Sequence, residues 1–137
     1  MDEGKNRKRF VDTNIFLYVI QGHPEFGERS KRILKRIDEK EEAVTSQINL
    51  GEICWWLEKH KRRKEIEEKI KLISSILYLE IVPPNIDDFL LASKYIKKYQ
   101  IDFNDCISLA VMKRMNIDTI YSNDKDFDKT WVKREFR

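Results

Sequence analysis

Short apolar segments alternate with longer amphipathic segments along this chain, and that alternation constrains the fold more than any other feature. The segments between them repeat apolar residues every three or four positions, which is typical of amphipathic helices. Strands separated by helices favour a parallel sheet with helices on both faces. We therefore predict an α/β fold, a three-layer α/β/α sandwich with a short central parallel sheet. The predicted strands cover residues 9–12, 43–45, 79–82, 119–121 and, with weaker alternation, 131–136.

Residues that commonly cap helices stand before several of the predicted helices. Thr13, Ser46 and Asn85 each have a side chain that can accept a hydrogen bond from the first helical N–H groups. A later helix could be capped by Asp102 or Asn104. The predicted helices cover residues 14–21, 26–39, 47–57, 66–77, 86–96 and 103–115.

The length of 137 residues predicts a single domain, with no internal repeat and no low-complexity tract. Residues 1–8 are mostly charged or polar, so we expect a flexible N-terminal tail there and one domain over residues 9–137. The apolar run at residues 15–20 is too short to cross a bilayer, which takes about 20 residues. The charged start also lacks a signal-peptide core. We expect a cytoplasmic protein without a membrane partner.

Four acidic residues stand in or beside apolar segments, where a solvated surface would not place them. Asp12 stands at the end of the first predicted strand and Asp124 just past the end of the fourth, while Glu52 and Asp105 lie in the first turns of predicted helices. Ligands of open parallel sheets bind beyond the carboxyl ends of the strands, so all four can meet at one edge. Gathered carboxylates repel each other and favour a cation, and Mg²⁺ or Mn²⁺ prefers such oxygen ligands. The pattern therefore predicts a metal site that could orient water against a phosphodiester.

Each acid also has an ordinary explanation. Asp12 could simply cap the helix that follows it, and Asp124 could be a turn residue. Glu52 could be solvated on a helix surface, and Asp105 could serve only the helix N-terminus. The shared location at one predicted edge favours a common site over four separate explanations.

The acidic segments resemble the motifs of the PIN domain, and the chain resembles the VapC toxin of VapBC toxin–antitoxin systems. The resemblance runs from Arg9 to Phe127, nearly the whole chain. The first and last motifs are the most specific. The segments that carry it are Val11-Asp12-Thr13-Asn14, the single acid Glu52, Asn104-Asp105-Cys106 and Ser122-Asn123-Asp124-Lys125-Asp126-Phe127.

This resemblance implies an α/β/α ribonuclease that depends on Mg²⁺ or Mn²⁺, with the four acids holding the metal and the attacking water. It implies that Asn14 braces the acids and that Ser122 stands where the family commonly has threonine. Asp126 is an additional candidate acid. For a toxin it further implies a homodimer and a small cognate antitoxin that blocks the site.

The charge balance of the chain is suited to binding RNA, but it also has a second explanation. The chain has 27 basic and 24 acidic residues, a net charge of +3. Setting the four acids aside leaves 27 against 20, which is +7 and suits a polyanion. Dense charge of both signs is also typical of heat-adapted proteins. The basic run at residues 59–64 could guide RNA or form a solvated helix junction.

Two adjacent tryptophans, Trp55 and Trp56, cannot both point into one core, because neighbouring helical positions differ by about 100°. One of them could face a partner, or both could be partly buried.

Three other functions remain open from the sequence. A phosphotransferase could use Asp12 as nucleophile, but it would prefer a second acid two residues on, where Asn14 stands. A binding module without catalysis would not need an intact acid set. An RNA-processing nuclease outside toxin–antitoxin systems would use the same chemistry.

Overall fold

The structure, a computed structural model, describes residues 6–137. Its five strands form one sheet in the order β3-β2-β1-β4-β5, and every neighbouring pair is parallel. The predicted α/β/α sandwich is confirmed, with the short C-terminal strand at one edge. The strands are β1 (Asn6–Val11), β2 (Ala43–Ser46), β3 (Leu79–Val82), β4 (Ile117–Tyr121) and β5 (Lys133–Glu135).

Six α-helices connect and cover the strands in the part of the chain that the structure describes. Two short 3₁₀ segments, Arg63–Glu65 and Lys125–Lys129, follow α3 and β4. None of these helices combines the length and the apolar character that a membrane crossing requires. The α-helices are α1 (Thr13–Gln21), α2 (Gly27–Glu39), α3 (Gln47–Lys59), α4 (Ile66–Ser74), α5 (Ile86–Tyr99) and α6 (Phe103–Arg114).

The first strand begins earlier than the sequence predicts. Asn6 pairs with Ile117 of β4, so residues 6–8 belong to the sheet and the predicted tail over residues 1–8 is wrong there. The charged side chains of this segment made it resemble a solvated tail in the sequence. In the structure one of them, Lys8, reaches across the sheet and forms an ion pair with Glu80 at 3.8 Å. Residues 1–5 lie outside the described residues.

The two faces of the sheet bury separate apolar cores. Phe10 of β1 packs on the face covered by α5 and α6, whereas the next residue, Val11, packs on the face covered by α1–α4. This alternation follows from the two-residue period of a strand. Residues 106–112 of α6 are buried all round, because α6 lies between the sheet and α5. The site acids are therefore carried on elements with well-packed cores.

Local capping sets the position of each helix start near the carboxyl edge of the sheet. Ser46 ends β2 and caps α3 through a capping box with Asn49, as predicted for a Ser N-cap. The N-cap of α1 is Asp12 and not the predicted Thr13, since the Asp12 side chain accepts from the Thr13 N–H. Asp102 stands at the N-cap of α6 without a side-chain capping bond.

Candidate functional site

The four predicted acids lie around the carboxyl ends of the three central strands. Asp12 follows β1, and its N–H donates to the Tyr121 carbonyl of β4 at 3.0 Å. Asp124 follows β4 and caps the 3₁₀ segment after it. Glu52 lies on α3, which begins directly after β2, and Asp105 lies in the first turn of α6. The structure therefore brings the four side chains to one edge of the sheet.

The charges of these acids act on one another. Burial raises the pKa of Asp12 to about 6, and the charges of Glu52 and Asp124 add to that rise. The pKa of Asp105 is raised further, to about 8. Burial is the largest cause, and the charges of Asp12 and Asp124 are the next largest. Such shifts mean that negative charge in this cluster is not compensated by the protein.

Asp12 is held by a network that includes two of the three predicted supporting residues, Asn14 and Ser122. The Ser122 hydroxyl donates to Asp12 Oδ2 at 2.6 Å, and the Thr13 N–H donates to Oδ1 at 2.9 Å. Asn14 Nδ2 lies 3.3 Å from both Asp12 Oδ2 and Ser122 Oγ. Ser122 Oγ also accepts from the Asp124 N–H at 3.0 Å. One hydroxyl thus joins the acid after β1 to the turn after β4.

Glu52 is oriented by residues that the sequence did not mark as part of the site. The Thr13 hydroxyl donates to Glu52 Oε1 at 2.6 Å, and Asn104 Nδ2 donates to Oε2 at 3.1 Å. Asn49 Nδ2 in turn donates to Thr13 Oγ1 at 2.9 Å, which directs the hydroxyl proton toward Glu52. Thr13 and Asn104 stand next to Asp12 and Asp105 in sequence, and that adjacency was the available signal.

Asp126 makes two contacts beside this network. Its carboxylate pairs with Lys129 at 3.3 Å, while its backbone N–H donates to Asp124 Oδ1 at 2.9 Å. Within the described residues no hydrogen bond joins the Asp126 carboxylate to the other acids. The residue supports the turn of Asp124 through its backbone, and its role as an additional acid stays a prediction.

The carboxylate oxygens of the site are chemically suited to a hard divalent cation, although they do not form a closed coordination shell. Within residues 6–137, no group of three His, Cys, Asp or Glu side chains is arranged to hold a metal ion. The oxygens of Glu52 face Thr13 and Asn104, whereas the Asp105 carboxylate accepts no hydrogen bond from the described residues. Mg²⁺ commonly binds through one or two carboxylates and keeps several waters, so it does not need a closed cage.

A family comparison agrees with this arrangement of sheet and acids. The model of the PIN domain matches residues 9–132. The chain belongs to the PIN domain family. The match covers the second half of β1 and all of β2, β3 and β4, and it includes every acid of the cluster.

Known PIN proteins resemble this one in sequence and in fold. Ribonuclease VapC6 of Methanocaldococcus jannaschii is 33% identical over 81 residues, which is 59% of this chain and 49% of that protein. The chain therefore matches about half the length of this relative. VapC20 of Mycobacterium tuberculosis, a toxin that cleaves the sarcin-ricin loop, superposes with a TM-score of 0.75 at 20% identity, over 88% of this chain and 93% of that one.

A second solved structure, VapBC2 of Rickettsia felis bound to a DNA fragment from its promoter, gives a TM-score of 0.71 at 20% identity. The superposition covers 93% of this chain and 96% of that one. At this identity the two structures establish the shared fold.

Proposed function

We propose that this PIN domain is an endoribonuclease that hydrolyses RNA phosphodiester bonds with Mg²⁺ or Mn²⁺. The observation that carries the proposal is the group of four mutually repelling acids at the carboxyl edge, in which burial and neighbouring charge raise the pKa of Asp105 to about 8. A protein retains such repulsion when a ligand offsets it, and a divalent cation is the ligand that carboxylates select. The ribonuclease name of VapC6 supports the reaction class.

Asp12 and Asp105 would hold the metal, which when bound would lower the pKa of water and stabilise charge on the phosphoryl oxygens. Ser122 and Asn14 keep the Asp12 carboxylate in place, because both contact its Oδ2. Glu52 would position the attacking water, since Thr13 and Asn104 fix its orientation.

Asp124 would complete the site from the opposite side. Its N–H is tied to Ser122 at 3.0 Å, so its position depends on the same hydroxyl that holds Asp12. The Ser122 hydroxyl therefore sets the position of the acid after β1 relative to the acid after β4.

We further propose that the protein is the toxin of a type II toxin–antitoxin pair, acting in the cytoplasm as a homodimer and blocked by a small antitoxin. The likeness to VapC20, a toxin, and to VapBC2 supports this role. Exposed apolar side chains on α5, Ile86 at 74% and Leu90 at 58%, support a dimer. An RNA-processing role outside toxin–antitoxin systems is the alternative that uses the same site.

An RNA-cleavage assay tests the nuclease. We expect cleavage with Mg²⁺ or Mn²⁺, none with EDTA, and a loss of about 100-fold or more in Asp12→Asn, because that change removes a charge at the metal. Asp118→Asn is the matched control, since Asp118 lies near the start of β4, at the end of the sheet opposite to the acids. Equal cleavage by Asp12→Asn and the wild type would overturn the proposal.

A further inference from the structure

Helix α3 presents an exposed aromatic side chain close to the acidic cluster. Trp55 is 59% exposed, whereas its neighbour Trp56 packs against the core and stacks on His60 with ring centroids 4.1 Å apart. Trp55 follows Glu52 by three positions, and residues three apart on a helix are surface neighbours. The indole therefore lies one turn from an acid of the site, on the same helix.

Uncompensated positive charge continues from this tryptophan past the end of α3. Lys59 Nζ lies 4.8 Å from the centre of the Trp55 ring. Arg62 and Arg63 are neutralised by Glu65 at 2.6 Å and by Glu58 at 2.8 Å. In the described part of the chain, by contrast, three lysines of this run form no ion pair with a carboxylate: Lys59, Lys61 and Lys64.

The distance along α3 between the acid and the lysines suits a single nucleic-acid strand that passes over the site. Glu52 and Lys59 are seven residues apart on one helix, or about 10 Å at the usual rise of 1.5 Å per residue. Lys61 and Lys64 line one surface depression just beyond. An aromatic face followed by free cations is the combination that binds single-stranded nucleic acid, with bases on the ring and phosphates on the cations.

We infer that the outer face of α3 binds single-stranded RNA beside the cleavage site, with one base stacked on Trp55 and the backbone held by Lys59, Lys61 and Lys64. The inference rests on the proposed nuclease function and specifies its substrate as unpaired. A duplex hides its base faces by stacking, so it cannot use an indole in this way. Protein interfaces are depleted in lysine, so the three free lysines favour RNA over a protein on this face.

A substitution at Lys61 can separate the effect of a lost positive charge on RNA binding from an effect on the stability of the protein. Lys61 lies two residues past the end of α3, in the left-handed region at φ 61°, and its N–H donates to the Glu58 carbonyl at 3.2 Å. Glycine is the usual residue at this position of a helix end because it has no Cβ to strain. Lys61→Gly therefore removes a cation while it relieves the backbone. Gln100→Gly is its matched control, because Gln100 ends α5 with φ 57° and has no charge.

The test is the binding of fluorescently labelled oligouridine to full-length protein made inactive by Asp12→Asn. We expect Trp55→Ala to weaken binding about tenfold and Trp55→Phe to keep most of it, since stacking tolerates another aromatic ring. Leu77→Ala, which removes a side chain 68% exposed just before β3, should leave binding unchanged.

Salt titrations test the cations. Lys59→Ala and Lys61→Gly should each weaken binding and lower the slope of log affinity against log salt by about 0.7. Gln100→Gly should leave both quantities unchanged. Weakened binding in Lys61→Gly together with an undiminished melting temperature would exclude unfolding as the cause.

Three results would overturn the inference: unchanged binding in Trp55→Ala, duplex RNA that binds as tightly as oligouridine, or sedimentation showing that Trp55→Ala dissociates a dimer while RNA affinity stays the same. The last result would assign this face to a second copy of the chain. Failure of the nuclease is distinguishable, because it appears as wild-type protein that binds oligouridine through Trp55 but leaves RNA uncut with Mn²⁺.

Discussion

Removing the charge of Asp105 is expected to stabilise the metal-free protein. The pKa of this carboxyl is about 8 in the folded state, against an ordinary value of 3.8. Between these values the folded state binds more protons than the unfolded state, so stability falls as pH rises through the window, and the loss is complete above about pH 8. At pH 7 the free energy of unfolding is lowered by at most about 4 kcal/mol, because each pKa unit between the ordinary value and pH 7 contributes about 1.36 kcal/mol.

Asp105→Asn keeps the shape of the side chain and cannot ionise. We expect its free energy of unfolding in EDTA at pH 7 to exceed that of the wild type by about 1–4 kcal/mol, the lower values applying where the fold relaxes or admits water. The dependence of stability on pH between about 4 and 8 should flatten, because the main titrating group of the cluster is gone.

Urea unfolding followed by circular dichroism at several pH values measures both effects. Asp87→Asn is the matched control, since Asp87 is exposed in the first turn of α5, as Asp105 lies in the first turn of α6. It should change stability by no more than about 0.5 kcal/mol. A less stable Asp105→Asn in EDTA at pH 7, or wild-type stability that stays level across this pH range, would refute the reasoning. Added Mn²⁺ should stabilise the wild type more than the variant, because the ion binds the carboxylate.

Three further changes test the surroundings of the site and the fold. Ser122→Ala should lower cleavage about 10-fold or more, because it removes the 2.6 Å bond to Asp12, whereas Ser122→Thr should retain activity. Arg114→Ala should lower the free energy of unfolding by about 1–2 kcal/mol in urea titrations, because it removes the ion-pair partner of the buried Asp88 at 2.9 Å while the Asn85 N–H still donates to that carboxylate. Gln100→Gly should raise the melting temperature slightly, by relieving about 1 kcal/mol of left-handed strain.

Local patterns in the sequence were enough to predict the layers of this fold. The period of apolar residues located each strand and helix to within a few positions, since a half-buried strand and an amphipathic helix leave different spacings. It failed at residues 6–8, where charged side chains on a paired strand resemble a solvated tail. Ser46 and Asn85 were recognisable as N-caps from their residue types, whereas the partners that complete their capping boxes, Asn49 and Asp88, were seen only in the structure.

The candidate site was predictable in its acids and not in their surroundings. Asp12 and Asp124 follow strands, and the carboxyl ends of parallel strands meet at one edge, so their proximity follows from topology. The hydrogen bonds that Thr13 and Asn104 donate to Glu52 join residues 39 and 52 positions apart in the chain, so no local sequence pattern predicts these bonds.

The sequence by itself determined an alternating α/β chain with four acids directed to one edge of a parallel sheet. Only the tertiary structure decided which of the two adjacent tryptophans is exposed, and that Asp126 turns toward Lys129. The physical reason is that backbone periodicity depends on near neighbours, whereas the exposure and pairing of a side chain depend on which distant elements pack beside it. The elements that contact α3 include α1 and α4, and Trp56 packs against the core that they share while Trp55 stays in solvent.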